Sequence, residues 1–212
     1  MTELVFILDR SGSMHGLEGD TIGGFNSMIE EQKRAEGKAL VSTVLFSDES
    51  VVLHDRVPLE KVKPMTPAEY RVGGCTALLD AVGEAIHHIG NVHKYARVED
   101  RPEKTLFIIT TDGMENASHR YNYEKVKEMI RRQKEKYGWE FIFMGANIDA
   151  AAEAGRFGID ACNAVNYNSD HAGTKLTYEA VSAACTAFRA DAPMTAEWRA
   201  NVDRDFKKRG RK

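Results

Sequence analysis

The chain has 212 residues, 42% hydrophobic and 29% charged, with only five prolines. That is the make-up of one globular domain, or one domain plus an appendage, long enough to bury a sizeable core. A formal net charge of −3 argues against a general nucleic-acid surface. The longest apolar runs, such as Leu106 to Ile109 and Phe141 to Met144, are strand-sized and far too short to cross a bilayer.

Residues 3–9 read as a buried strand, and with no basic or apolar leader ahead of it no signal peptide is expected. Ile22, Phe25, Met28 and Ile29 recur at helical spacing within 21–32, and Gly37 closes that helix. Residues 40–46 and 50–55 are expected to form two strands joined by the polar turn Ser47-Asp48-Glu49. A connector with Pro58, Pro64 and Pro67 leads to Gly73-Gly74-Cys75-Thr76. A helix over 77–93 follows, and its wide apolar stripe should face a sheet. Residues 104–110 form another apolar strand, which runs out into Thr111-Asp112-Gly113. Next come a helix over 123–136, a strand over 139–145, an Ala-rich helix over 149–157 and a strand over 163–167. Helices over 175–190 and 194–206 close the chain, and the basic run Phe206 to Lys212 reads as a solvated tail.

Strands alternating with helices predict an α/β fold: a doubly wound, mostly parallel sheet with helices on both faces. The unbroken apolar character of 4–8, 106–109 and 141–144 fits parallel strands buried on both sides, and the hairpin supplies one antiparallel edge strand. The division expected is a domain over 1–168 and a C-terminal helical extension with a basic tail over 169–212. Cys75, Cys162 and Cys185 are odd in number and widely spaced, which predicts a reducing, cytoplasmic setting.

In an open α/β sheet, ligands sit beyond the carboxyl ends of the strands. Two strands here end alike, one in Asp9-Arg10-Ser11-Gly12-Ser13 and the other in Thr110-Thr111-Asp112-Gly113. Thr76, at the head of an amphipathic helix, would bring a third oxygen-bearing loop to the same rim. Each stretch also has a plain reading as a turn or a helix cap. Together they offer oxygen donors without His or Cys at metal spacing. That set selects a hard cation, Mg²⁺ first, with Mn²⁺ or Ca²⁺ next.

Asp-x-Ser-x-Ser at 9–13, Thr76 after a Gly-rich stretch and Thr-Asp-Gly at 111–113 resemble the von Willebrand factor A (integrin I-domain-like) family. The resemblance runs from about residue 3 to about 167, and is nearest to free-standing bacterial or phage-borne members. It implies a metal-ion-dependent adhesion site. Ser11, Ser13 and Thr76 would be direct ligands, Asp9 and Asp112 would act largely through water, and an Asp or Glu of a protein partner would complete the coordination. It implies a binding module and not an enzyme.

Two alternatives are a Mg²⁺-dependent phosphohydrolase and a scaffold with a structural metal site. Against the hydrolase, the second carboxylate of an Asp-x-Asp pair is missing at Ser11, and no Walker-A loop occurs. His87, His88 and His93 read as surface residues, Cys75 as a small packed residue, and Glu115 and Asn116 as part of a solvated loop.

Overall fold

The computed structural model describes residues 1–193 and 195–209. The last three residues of the predicted basic tail therefore lie outside the described residues. Six strands form one sheet: β1 (Thr2–Asp9), β2 (Ala39–Phe46), β3 (Ser50–Pro58), β4 (Lys104–Thr111), β5 (Glu140–Ala146) and β6 (Ala164–Tyr167). Their order is β3-β2-β1-β4-β5-β6, and every pairing is parallel except β2 with β3. The doubly wound α/β reading with one antiparallel edge strand is what the chain adopts.

Strand periodicity distributes the core. From β1, Leu4, Phe6 and Leu8 enter one apolar layer, while Val5 and Ile7 enter the other. Helices α1 (Glu18–Arg34) and α5 (His171–Arg189) cover the first face. Helices α2 (Leu78–Tyr95), α3 (Tyr123–Tyr137) and α4 (Ala150–Phe157) cover the second. A last helix, α6 (Ala200–Arg209), follows a short 3-10 turn, Ala196–Arg199. Among the described residues no helix is long and apolar enough to cross a membrane.

Boundaries differ from the sequence reading where the signal is non-local. The first helix starts at Glu18, ahead of the expected residue 21, although Gly19, Gly23 and Gly24 lie within its opening turns. A methyl group added at Gly24 would lie 2.3 Å from the ring of Tyr178, so this glycine lets α1 approach α5. α5 itself begins at His171, four residues before the expected start, where the Asp170 side chain caps it by accepting from Gly173 N at 2.8 Å.

α5 shares the sheet's own core through Tyr178, Val181, Ala184 and Cys185. Its end is pinned by a buried cation. Arg189 donates to the carbonyls of Gln32 (2.6 Å), Ala35 (3.2 Å), Glu36 (3.1 Å) and Gly37 (2.7 Å), in the last turn of α1 and just beyond it. A guanidinium there also meets the negative end of the helix dipole. Lys104 does the same for α5, donating to the carbonyls of Phe188 (3.2 Å) and Arg189 (2.8 Å). Within the predicted basic tail, Arg209 pairs with Asp170 and Asp205 and so ties α6 to the start of α5.

Candidate metal site

The strand order reverses between β1 and β4. β1 continues to α1 on one face and β4 to α3 on the other, which opens a crevice at their carboxyl ends. Asp9 ends β1 and Asp112 follows β4, and both are buried. Register sets Leu8 opposite Thr110, so Thr111 falls beside Asp9 and donates its hydroxyl to Asp9 Oδ2 at 2.6 Å. Asp9 Oδ1 accepts the Ser11 N–H at 2.7 Å. Ser11 and Ser13 hydroxyls lie 3.0 Å apart, and Ser13 Oγ donates to Asp112 Oδ1. Asp112 Oδ2 is buried and has no hydrogen-bond partner.

The third loop arrives through backbone contacts. Gly12 N donates to Gly74 O at 3.0 Å, Gly73 N to Arg10 O at 2.9 Å, and Ala77 N to Ser47 O at 2.8 Å. The space beside Gly113 shows where the hydroxyls meet: a methyl group added there would lie 3.3 Å from Ser13 Oγ and 3.4 Å from Thr76 Oγ1. The structure thus brings all five predicted residues into one cluster of two carboxylates and three hydroxyls. Among the described residues no three His, Cys, Asp or Glu side chains converge on a common point.

The sequence matches no family profile and no curated protein. Its fold does match solved structures. A von Willebrand factor type A protein from Catenulispora acidiphila gives a TM-score of 0.58 at 13% identity, over 88% of this chain and 42% of the other. Proximal thread matrix protein 1 from the mussel byssus, with a zinc-occupied MIDAS motif, gives 0.58 at 16% identity over 87% and 46%. The ArnB paralog VWA2 from Sulfolobus acidocaldarius gives 0.52 at 15% over 88% and 44%.

The fold is that of a von Willebrand factor type A domain.

The chain spans less than half the length of each of those three proteins. In this chain the crevice is braced by residues of the loop after Asp112. Glu115 and Asn116, expected to be part of a solvated loop, are tied to the head of α2. Asn116 Oδ1 accepts from Thr76 N at 2.8 Å while Asn116 N donates to Thr76 O at 3.1 Å. Glu115 Oε2 accepts from Leu79 N at 2.8 Å, and Ser118 Oγ accepts from Asp80 N at 3.0 Å. Asp80 returns the bond by accepting from the backbones of His119, Arg120 and Tyr121, which holds its carboxyl below the usual range despite burial. The Thr76 and Asp112 arms are therefore one unit. Tyr70, buried under the other arm, donates its hydroxyl to the Asp9 carbonyl.

Cys75 is exposed, contrary to the packed residue expected, and a hydrogen bond with Asp48 pushes its thiol up. His93 is the other correction. It lies mostly covered against buried Glu3, with which it pairs at 2.5 Å. Gly74 is set by its surroundings: its φ is +82°, and a methyl group there would lie 1.9 Å from Asp48 Oδ2. Gly74→Ala is expected to cost about 1–3 kcal/mol of stability, measured by urea unfolding, through backbone strain and the displaced Asp48.

Burial pushes the Asp9 and Asp112 carboxyls above the ordinary range, and for Asp112 the neighbouring Asp9 charge adds to this. A carboxyl whose folded value lies above its unfolded one destabilises the fold once it must ionise. In EDTA, Asp112→Asn is therefore expected to be more stable than wild type at pH 7.5. That advantage should shrink as pH falls through the raised Asp112 value towards the ordinary carboxylate range. Paired thermal melts across pH 4–8 measure the difference, and an advantage that grows on acidification would refute the assignment.

Proposed function

We propose that this A domain is a non-enzymatic binding module. It holds a divalent cation, Mg²⁺ before Mn²⁺ or Ca²⁺, at Ser11, Ser13 and Thr76, with Asp9 and Asp112 behind them, and binds an Asp or Glu side chain of a partner protein there. The observation that carries this reading is the hydroxyl geometry. Ser13 gives its only proton to Asp112, so it accepts from Ser11 with one lone pair and keeps the other for the space it shares with Thr76 beside Gly113.

The carboxylates support the same division of labour. Both oxygens of Asp9 are engaged by donors of the chain, which suits orientation over direct ligation. Asp112 Oδ2, buried without a partner, is costly unless a cation or a cation-bound water meets it. A bound divalent ion would supply Lewis acidity for an incoming carboxylate. With three neutral hydroxyls around it, much of its charge would be left for that ligand. The mussel protein's zinc-occupied motif supports a divalent ion on this fold.

Calorimetric titration of Mg²⁺ and Mn²⁺ into wild type, Ser13→Ala and Thr76→Ala tests the site, with at least about tenfold weaker binding expected in each variant. Affinity capture from an extract of the source cells, with Mg²⁺ or with EDTA, tests the function. A partner retained only with Mg²⁺ is the expected result. Capture indifferent to EDTA would make the site structural, and phosphoester turnover lost in Asp9→Ala would make the protein a hydrolase.

A further inference from the structure

A groove of about 710 Å³ runs between α2 and α3, away from the strand-end crevice. Its floor is apolar, made by Ile86, Met129 and the covered edge of Trp139. Lys94, Arg101, Lys125 and Arg132 line it, and no Asp or Glu does. Three of these four charges are held by neutral groups. Arg101 donates to the carbonyls of Ala96 (3.0 Å) and Lys94 (3.3 Å), Lys125 lies over the Tyr121 ring at 4.3 Å, and Lys94 over Tyr95 at 5.0 Å. Neutral partners orient a cation without cancelling its charge. The adjacent Arg131, which does not line the groove, has Glu135 at 3.6 Å.

We infer that this groove binds an extended acidic peptide segment of a partner protein, independently of any metal. Charge complementarity selects the sign of the ligand. Lys125 to Tyr137 spans about 18 Å of helix, the length of about five or six extended residues. Apolar residues interspersed among the acids would meet Met129 and Ile86. A single nucleic-acid strand has the right sign, but it needs free aromatic faces on which bases can stack. Here Trp139 is stacked on Phe107 at 5.2 Å and meets His93 edge-on at 5.4 Å, and the Tyr121 face is taken by Lys125, which leaves exposed Tyr137 as a single stacking face where a strand needs several. The net charge of −3 also opposes a polyanion longer than the groove.

The test is fluorescence anisotropy in EDTA, with a fluorescein-labelled Glu-rich peptide of about six residues, matched to the groove, carrying two leucines. Saturable binding that weakens with added salt is expected. Lys125→Glu/Arg132→Glu and, separately, Lys94→Glu/Arg101→Glu should each weaken it at least about tenfold. These side chains are exposed, and circular dichroism melts confirm that each variant is folded. Lys207→Glu/Lys208→Glu, on the last helix, should leave binding unchanged. No saturable binding, binding by both groove variants equal to wild type, or tighter binding of a thymidine oligonucleotide of the same length would overturn the inference. EDTA separates this outcome from the fate of the metal site.

Discussion

Arg189→Met is expected to lower unfolding free energy by about 3 kcal/mol and the melting temperature by about 6–12 °C. Methionine keeps much of the side-chain volume and removes every donor. The carbonyls of Gln32, Ala35, Glu36 and Gly37 would lose their guanidinium, and so would Gln32 Oε1 at 3.0 Å. Part of that loss is offset, because burial pushes the Arg189 guanidinium down and a neutral side chain escapes the desolvation cost. The remaining polar seam helps little: Gln32 Nε2 still reaches the Ser182 carbonyl and Thr186 Oγ1, each at 2.9 Å. Urea unfolding of both proteins measures the difference. A loss below about 1 kcal/mol would mean that desolvation cancels the bonds.

Asp9→Ala is expected to weaken Mg²⁺ and Mn²⁺ binding at least about a hundredfold, to the edge of detection by calorimetry. The substitution removes one of two negative charges and the acceptor that fixes both the Ser11 backbone and the Thr111 hydroxyl. In EDTA the same variant should lose much less, about 1–2 kcal/mol. Two orphaned donors cost stability, but a carboxylate that burial disfavours has gone. A variant that binds Mn²⁺ as wild type does would refute the site.

The parts of the fold that were legible in the sequence are those written in local periodicity. Leu4 to Leu8, Leu106 to Ile109 and Phe141 to Met144 read as buried strands because every side chain in them meets one of two apolar layers. Asp9, Ser11, Ser13 and Asp112 stood out because small polar residues at the ends of such strands need a reason, and Thr76 because it follows a Gly-rich stretch at the head of a helix. The bracing around them was not legible. Glu115, Asn116 and Ser118 look like any polar loop, since what they hold is the backbone of α2, 36 to 40 residues away in sequence. Gly24 hid the start of α1 because its reason is a ring on α5. His93 reads as a surface residue in sequence, and only the sheet reveals Glu3 beneath it.

The Ser13–Asp112 hydrogen bond joins residues 99 positions apart. An unfolded chain cannot gather those donors, so a cation bound there has no comparable affinity for the denatured ensemble. Binding of the proposed ion would then stabilise the fold by about 2.7 kcal/mol at a hundred times its dissociation constant. Magnesium at that level would restore most of what Arg189→Met removes at the opposite end of the sheet. The ion would act as a chemical rescue for lesions it never touches.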